Sequence, residues 1–198
     1  MITKNYNILL LSPIESEINS YFNENNINYF QTSDVLSLNN FRNQNIDIVI
    51  SYRYRHILKK QHIDFFNGSI INLHSSLLPH NRGAHPNFWS FYENTPKGIS
   101  IHYVDEGIDT GDIIFQKEYE LDTEMTFKES YNFLDKNIKK YLIKNFTKIL
   151  NKDIVPFKQV GLGTFHNAKD ILPYTSKFPN LWDMKISTFL KEVKGIKF

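Results

Sequence analysis

Apolar and polar positions alternate along the first half of the chain at two spacings, one of strands and one of helices. Tyr6 to Leu11 is a continuous apolar run suited to a central parallel strand, followed by Ser12 and Pro13 as N-cap and first helical residue. Ile14, Ile18, Tyr21 and Phe22 then fall on one helical face. Asn28 to Gln31 reads as a short second strand, Leu36 to Asn43 as one or two helical turns, and Ile46 to Ser51 as a third strand. Arg55 to Phe66 follows as a helix and Ser69 to Leu73 as a fourth strand. Such alternation predicts parallel strands joined by right-handed crossovers. The expected class is α/β, a Rossmann-like open, mostly parallel twisted sheet flanked by helices, with a short irregular C-terminal extension.

Beyond the fourth strand the pattern tightens. His85 to Glu93 reads as a short aromatic helix, Ile99 to Val104 alternates at period two, and Ile113 to Tyr119 forms a last strand. Phe127 to Leu150 is the longest helix, with Phe133, Leu134, Ile138, Tyr141, Leu142, Phe146 and Ile149 on one stripe. After Pro156 the chain turns irregular, punctuated by Gly161, Gly163, Pro173 and Pro179. Residues 1–150 are expected to form the catalytic domain and 151–198 an extension packed on it. The tail from Gln159 to Phe198 is expected to wrap the sheet or to help a homodimer form.

Composition narrows the classes. At 198 residues and 41% hydrophobic, the chain suffices for one domain with a real core. A net charge of +2 demands no nucleic-acid partner, and RYRHILKKQH is too short a basic stretch for one. There is no Cys, hence neither a disulfide framework nor a thiolate metal site. The start, MITKNYNILLLSPIESE, reads as a first strand rather than a signal peptide, and nothing approaches the ~20 apolar residues of a membrane span. A cytoplasmic enzyme with no membrane partner is expected. GxGxxG is missing after the first strand, so no dinucleotide site is read.

Candidate chemistry concentrates between Ile70 and Ile114. Asn72 and His74 lie two apart on one strand and point the same way, an amide and an imidazole that make poor core residues. Asp105 to Gly111 is an acidic turn with two glycines, which delivers Asp109 on a loop. A carboxylate reaching the imidazole would hold its tautomer and raise its basicity.

The ordered set of Asn72, His74, Ser76 to Pro79, Arg82 with Gly83, Gly98 with His102, and Asp109 with Gly111 resembles the formyltransferases that use 10-formyltetrahydrofolate. The likeness continues more weakly upstream through Tyr54 to Leu58 and covers about residues 1 to 150. It implies a catalytic set of Asn72, His74 and Asp109. The division of labour follows from chemistry: His74 as base, Asp109 orienting it, and Asn72 donating an amide N–H to the oxyanion. His102 would support them by a hydrogen bond.

The resemblance also implies a folate slot at His56, Ile57, Leu58, Ile70, Val104 and Glu106, with Ile63 as a further apolar wall. Lys59 and Lys60 could meet the anionic glutamate tail or simply form a solvated helix face. The co-substrate is 10-formyltetrahydrofolate. His80 and His85 lie near His74 in sequence, but no carboxylate or Cys completes a ligand set, so no metal is expected.

The implied acceptor is a small-molecule amino sugar, with Ser75, Ser76 and Arg82 near it and Trp182 or Tyr174 able to stack on a nucleotide base. Glycinamide ribonucleotide, methionyl-tRNA and hydrolysis of the folate stand as alternatives. The loop after Ser12 lacks the glycines a purine acceptor's phosphate needs, and no basic C-terminal domain for tRNA is evident. A non-catalytic folate- or sugar-binding protein is the reading from another class.

Overall fold

The computed structural model describes residues 6–194. Met1 to Asn5, the first residues of the start read as a strand and not a signal peptide, and Gly195 to Phe198 at the tail's end lie outside the described residues. The described chain falls into two compact units. The first comprises residues 6–74, 101–115 and 139–159 and the second 75–100, 116–138 and 160–194.

The sheet is built from Asn7–Leu11 (β1), Asn28–Thr32 (β2), Ile48–Ser51 (β3), Ile70–His74 (β4), Gly98–Tyr103 (β6) and Ile113–Glu118 (β7). Its order is β2-β1-β3-β4-β6-β7. β1 pairs in parallel with both β2 and β3, and β3 in parallel with β4, so the strands are mostly parallel as the alternation predicts. Leu9, Leu11, Val49 and Ile70 have no exposed surface and form one core cluster with Leu36 and Phe66. Continuous apolar strands fit that environment, because helices cover both faces of a parallel sheet.

The first helix, Glu17–Glu24 (α1), begins later than Ser12 and Pro13 suggest. Its N-cap is Ser16, whose hydroxyl accepts from Ile18 N–H at 3.3 Å while the Asn19 carboxamide oxygen accepts from Ser16 N–H at 3.0 Å. Ser12 instead turns its hydroxyl onto Ile14, donating to that carbonyl at 3.0 Å, so it closes a local turn and caps nothing. The expected helix over Arg55 to Phe66 shrinks to Lys60–Phe65 (α2). His62 fixes its start by accepting the Lys59 N–H on Nδ1 at 2.9 Å.

The second unit has an aromatic core. Pro86–Tyr92 (α3) supplies Phe88, Trp89 and Phe91, and Phe127–Leu150 (α4) supplies Phe127. The stretch read as irregular holds Leu172–Lys177 (α5) and Ile186–Val193 (α6), which add Tyr174, Ile186, Phe189 and Val193. Along α4 the buried positions are Phe127, Ser130, Leu134, Ile138, Lys139, Leu142, Phe146 and Ile149, at helical spacing. Phe133 leaves the expected stripe: it is 38% exposed and meets Tyr119 edge-on. Arg82–Gly83 (β5) pairs in parallel with Phe165–His166 (β8). Gly83 has φ +86°, and a Cβ there would lie 2.2 Å from the His166 carbonyl oxygen, so only glycine lets these backbones meet.

Candidate active site

β4 is a central strand, and its register with β3 sets Asn72 opposite Ser51. Two residues on, His74 ends the strand with its side chain 6% exposed. The period of two gives both side chains one direction.

The partner carboxylate arrives on the turn after β6. Asp105 organises that turn by accepting from the Thr110 hydroxyl at 2.6 Å and the Gly107 N–H at 3.1 Å. Gly111 passes so close to β6 that a Cβ would sit 1.9 Å from the Tyr103 carbonyl oxygen. Asp109 adopts φ +52°, a left-handed conformation that Asp and Asn tolerate better than most residues. Gln159 locks the turn from outside, its side-chain amide donating to the carbonyls of Asp109 at 2.8 Å and Gly111 at 2.9 Å. Sequence reasoning missed Gln159, because its partners lie about fifty positions away and no local pattern marks it.

The Asp109 carboxylate thereby faces three side chains. Asn72 Nδ2 donates to Oδ1 at 3.1 Å, His102 Nε2 lies 3.3 Å from the same oxygen, and His74 Nδ1 lies 3.5 Å from Oδ2. His102 Nδ1 sits 2.8 Å from the Tyr103 carbonyl, which can only accept, so that nitrogen carries a proton. In neutral His102 the lone pair is then on Nε2, 3.3 Å from Asn72 Nδ2. An Asn72 amide with two hydrogens can serve Asp109 and His102 together. His74 with its proton on Nδ1, toward the carboxylate, carries its lone pair on Nε2. The arrangement can take up a proton at one imidazole while a nearby amide stabilises negative charge.

The other sequence candidates are distributed unevenly. His56 is exposed and meets Tyr54 edge-on at 5.2 Å, Ile57 is 70% exposed, and Leu58 and Val104 pack against the core of the first unit. Ile70 has no exposed surface; its side chain belongs to that core, and its carbonyl accepts the Val104 N–H at 2.9 Å. It therefore supports the neighbouring strand instead of walling an open slot. Glu106 pairs with Lys60 at 3.0 Å, and Lys60 also reaches Asp64; all three side chains are exposed, so the lysine forms an ion-pair chain on a solvated helix face.

In the second unit Ser75 is half-buried, but Ser76 is fully buried and donates its hydroxyl to the His80 carbonyl at 2.7 Å. That commits the Ser76 hydroxyl to the loop. Arg82 is half-buried in β5, its N–H bonded to the Thr164 carbonyl at 3.0 Å. Tyr174 is buried in the aromatic core and offers no open face, whereas Trp182 is 38% exposed and stacks on His85 at 5.6 Å. No group of three or more His, Cys, Asp or Glu side chains among the described residues could hold a metal ion.

A half-buried amide, two buried imidazoles and a carboxylate meet beside the carboxyl end of a parallel strand of an open α/β sheet, where acid–base chemistry has a candidate site. The family model described as Formyl transferase matches residues 14–146, and the chain belongs to that family. It is similar to the formyltransferase PseJ of Anoxybacillus kamchatkensis, solved in complex with UDP-4,6-dideoxy-4-formamido-L-AltNAc and tetrahydrofolate. That likeness is 35% identity over 93% of this chain and 97% of the other, with a TM-score of 0.86. A methionyl-tRNA formyltransferase from Fusobacterium nucleatum is 36% identical over 148 residues, 73% of this chain and 48% of that protein. The chain thus spans about half the length of the curated relatives it matches. A 4-N formyltransferase from Francisella tularensis shares the fold, with TM-score 0.73 at 20% identity over 93% of this chain and 86% of the other. No helix among the described residues is long and apolar enough to cross a membrane.

Proposed function

We propose that the protein is an N-formyltransferase that moves the formyl group of 10-formyltetrahydrofolate onto the primary amine of an amino sugar, carried on a nucleotide. The observation that carries the chemistry is the convergence of Asn72, His74 and His102 on the Asp109 carboxylate. The amino-sugar acceptor is supported by the likeness to PseJ, which covers nearly the whole of both chains.

In this reading the neutral amine attacks the formyl carbon and forms the new C–N bond. An alkylamine is mostly protonated at neutral pH, and the attacking nitrogen must shed a further proton as the tetrahedral intermediate forms. His74 takes that proton on Nε2, and Asp109 facing Nδ1 favours the resulting imidazolium. Asn72 holds Asp109 with one amide hydrogen; the other, in the longer contact with His102, turns to the developing oxyanion. Collapse breaks the bond from the formyl carbon to N10, and the proton held on His74 passes to that leaving nitrogen. Tetrahydrofolate and the formamido sugar depart. The folate lies along His56, Ile57, Leu58, Val104 and Glu106, and the acceptor near Ser75 and Arg82. No metal enters the scheme.

The identity to methionyl-tRNA formyltransferases gives the second reading its support. Purified protein, 10-formyltetrahydrofolate and a panel of amino-sugar nucleotides, with methionyl-tRNA alongside, decide between them. The proposal predicts stoichiometric tetrahydrofolate and formamido sugar with at least one sugar nucleotide. Release only with methionyl-tRNA, or without any acceptor, contradicts it.

A further inference from the structure

The second unit has a cleft that the reaction scheme does not use. It measures about 460 Å³; Phe91 of α3, Leu121 and Leu190 of α6 give it apolar walls, and Lys97, Glu118 and Glu120 give it charge. A cavity of that size can seat a small organic group. Lys97 directly precedes β6, at the end of the strand away from His102, so its amine plays no part in the cluster on Asp109.

Lys97 stands apart from the other lysines. Every described lysine is exposed except Lys97 and Lys139, and Lys139 is neutralised by Glu17 at 2.6 Å. Lys97 is half-buried and has no ion pair with another described residue; its Nζ lies 5.2 Å over the Phe91 ring. A ring face attracts an ammonium, but it does not replace the hydration that the charge has lost. Burial accordingly pushes the amine below the ordinary lysine value, with the Glu118 carboxylate opposing it. A lysine withdrawn from water in this way holds more of the neutral, nucleophilic amine at neutral pH than an exposed one.

We propose that Lys97 is an N-acylation site, taking the acyl group of a thioester carried on a neutral arm. The carboxylates select the donor. Glu118 and Glu120 are exposed at the cleft and repel an acyl phosphate, whose charge adjoins the reacting carbonyl. A thioester is neutral at its reacting group, and its acyl chain can lie on the walls formed by Phe91, Leu121 and Leu190. The neutral Lys97 nitrogen attacks the thioester carbonyl carbon, the C–N bond forms and the C–S bond breaks. Sulfur leaves as thiolate, and the surplus proton on nitrogen passes to it through water, giving an amide and a free thiol. The amide is uncharged, which removes the cost of holding an ammonium partly out of water.

The test incubates the full chain with S-acetyl-N-acetylcysteamine, a small neutral thioester, or with acetyl phosphate, and follows acetylation of each lysine by peptide mass spectrometry. With the thioester near neutral pH, Lys97 is expected to acetylate at least about fivefold faster than the median exposed lysine, and to reach half its maximal rate at a lower pH. Unfolding the chain in guanidinium should abolish that preference. Glu118→Gln, an exposed substitution that removes the opposing carboxylate, should speed Lys97 further and leave the other lysines unchanged. The proposal is overturned if Lys97 reacts no faster than exposed lysines, if its preference survives unfolding, if acetyl phosphate shows the same preference, or if Glu118→Gln fails to accelerate it.

Discussion

Replacing Asp109 by Asn isolates the charge at the centre of the polar cluster. The substitution keeps shape, and Asn accepts the left-handed φ of +52° as readily as Asp. The loop keeps its anchorage, because Gln159 bonds the main-chain carbonyls of residues 109 and 111 rather than the carboxylate. What disappears is the negative partner of Asn72 at 3.1 Å and of His74 at 3.5 Å. Charge-assisted contacts of this kind contribute about 1.5–3 kcal/mol each, so losing both as the imidazolium forms costs about 3–6 kcal/mol. At ~1.4 kcal/mol per decade this is a fall of roughly 10²–10⁴ in kcat/KM. The assay is tetrahydrofolate release under saturating acceptor, with melting temperature measured in parallel. The melting point should move by no more than about 5 °C. A variant that melts normally and retains activity within tenfold of the parent would refute the idea that Asp109 organises the chemistry.

Other perturbations probe separate links. Gly111→Ala places a methyl group 1.9 Å from the Tyr103 carbonyl oxygen, so it should displace Asp109 and cut turnover by at least about tenfold while most of the fold survives by circular dichroism. Phe189→Ala removes a fully buried ring touching Phe88, Phe127, Tyr174 and Phe178; denaturant unfolding should show a loss of about 3–5 kcal/mol. The N–H and hydroxyl of Thr126 donate to the Glu129 carboxylate and hold its pKa below the ordinary value. A carboxyl depressed in the folded state adds stability above its unfolded pKa and loses it as pH falls through the folded one. The parent should therefore lose stability more steeply than Glu129→Gln below pH ~4.3. Gln159→Ala should loosen the turn at Asp109 and lower kcat more than it raises KM for the folate, as steady-state kinetics will show.

That Asn72 and His74 lie together and that Asp109 sits on a tight turn was legible from strand period and turn chemistry; their grouping into one candidate site came from the resemblance. Asn72 and His74 share a direction whatever the tertiary structure does, and two glycines around Asp109 announce a turn pressed against a neighbour. The parallel strands were legible for the same reason, as apolar runs in β1 and β3 have no other stable home. Helix starts were not. Ser12 with Pro13 and Ser16 with Asn19 are both plausible caps locally, and only the second finds its partners, Asn19 also donating to Gln31 at 2.6 Å. The tail hid α6 because punctuation at Pro173 and Pro179 masked the spacing of Ile186, Phe189 and Val193, whose burial depends on distant aromatic residues. Long-range ties such as Gln159 to the Asp109 turn leave no imprint on neighbouring sequence.

The most direct test follows the formyl carbon itself. Isotopically labelled 10-formyltetrahydrofolate is mixed with an amino-sugar nucleotide panel and either the parent protein or His74→Ala. The account predicts label in an amide on the sugar nitrogen with the parent, and a loss of at least about a hundredfold in the variant. Label appearing only as free formate, or equal transfer by both proteins, would contradict it.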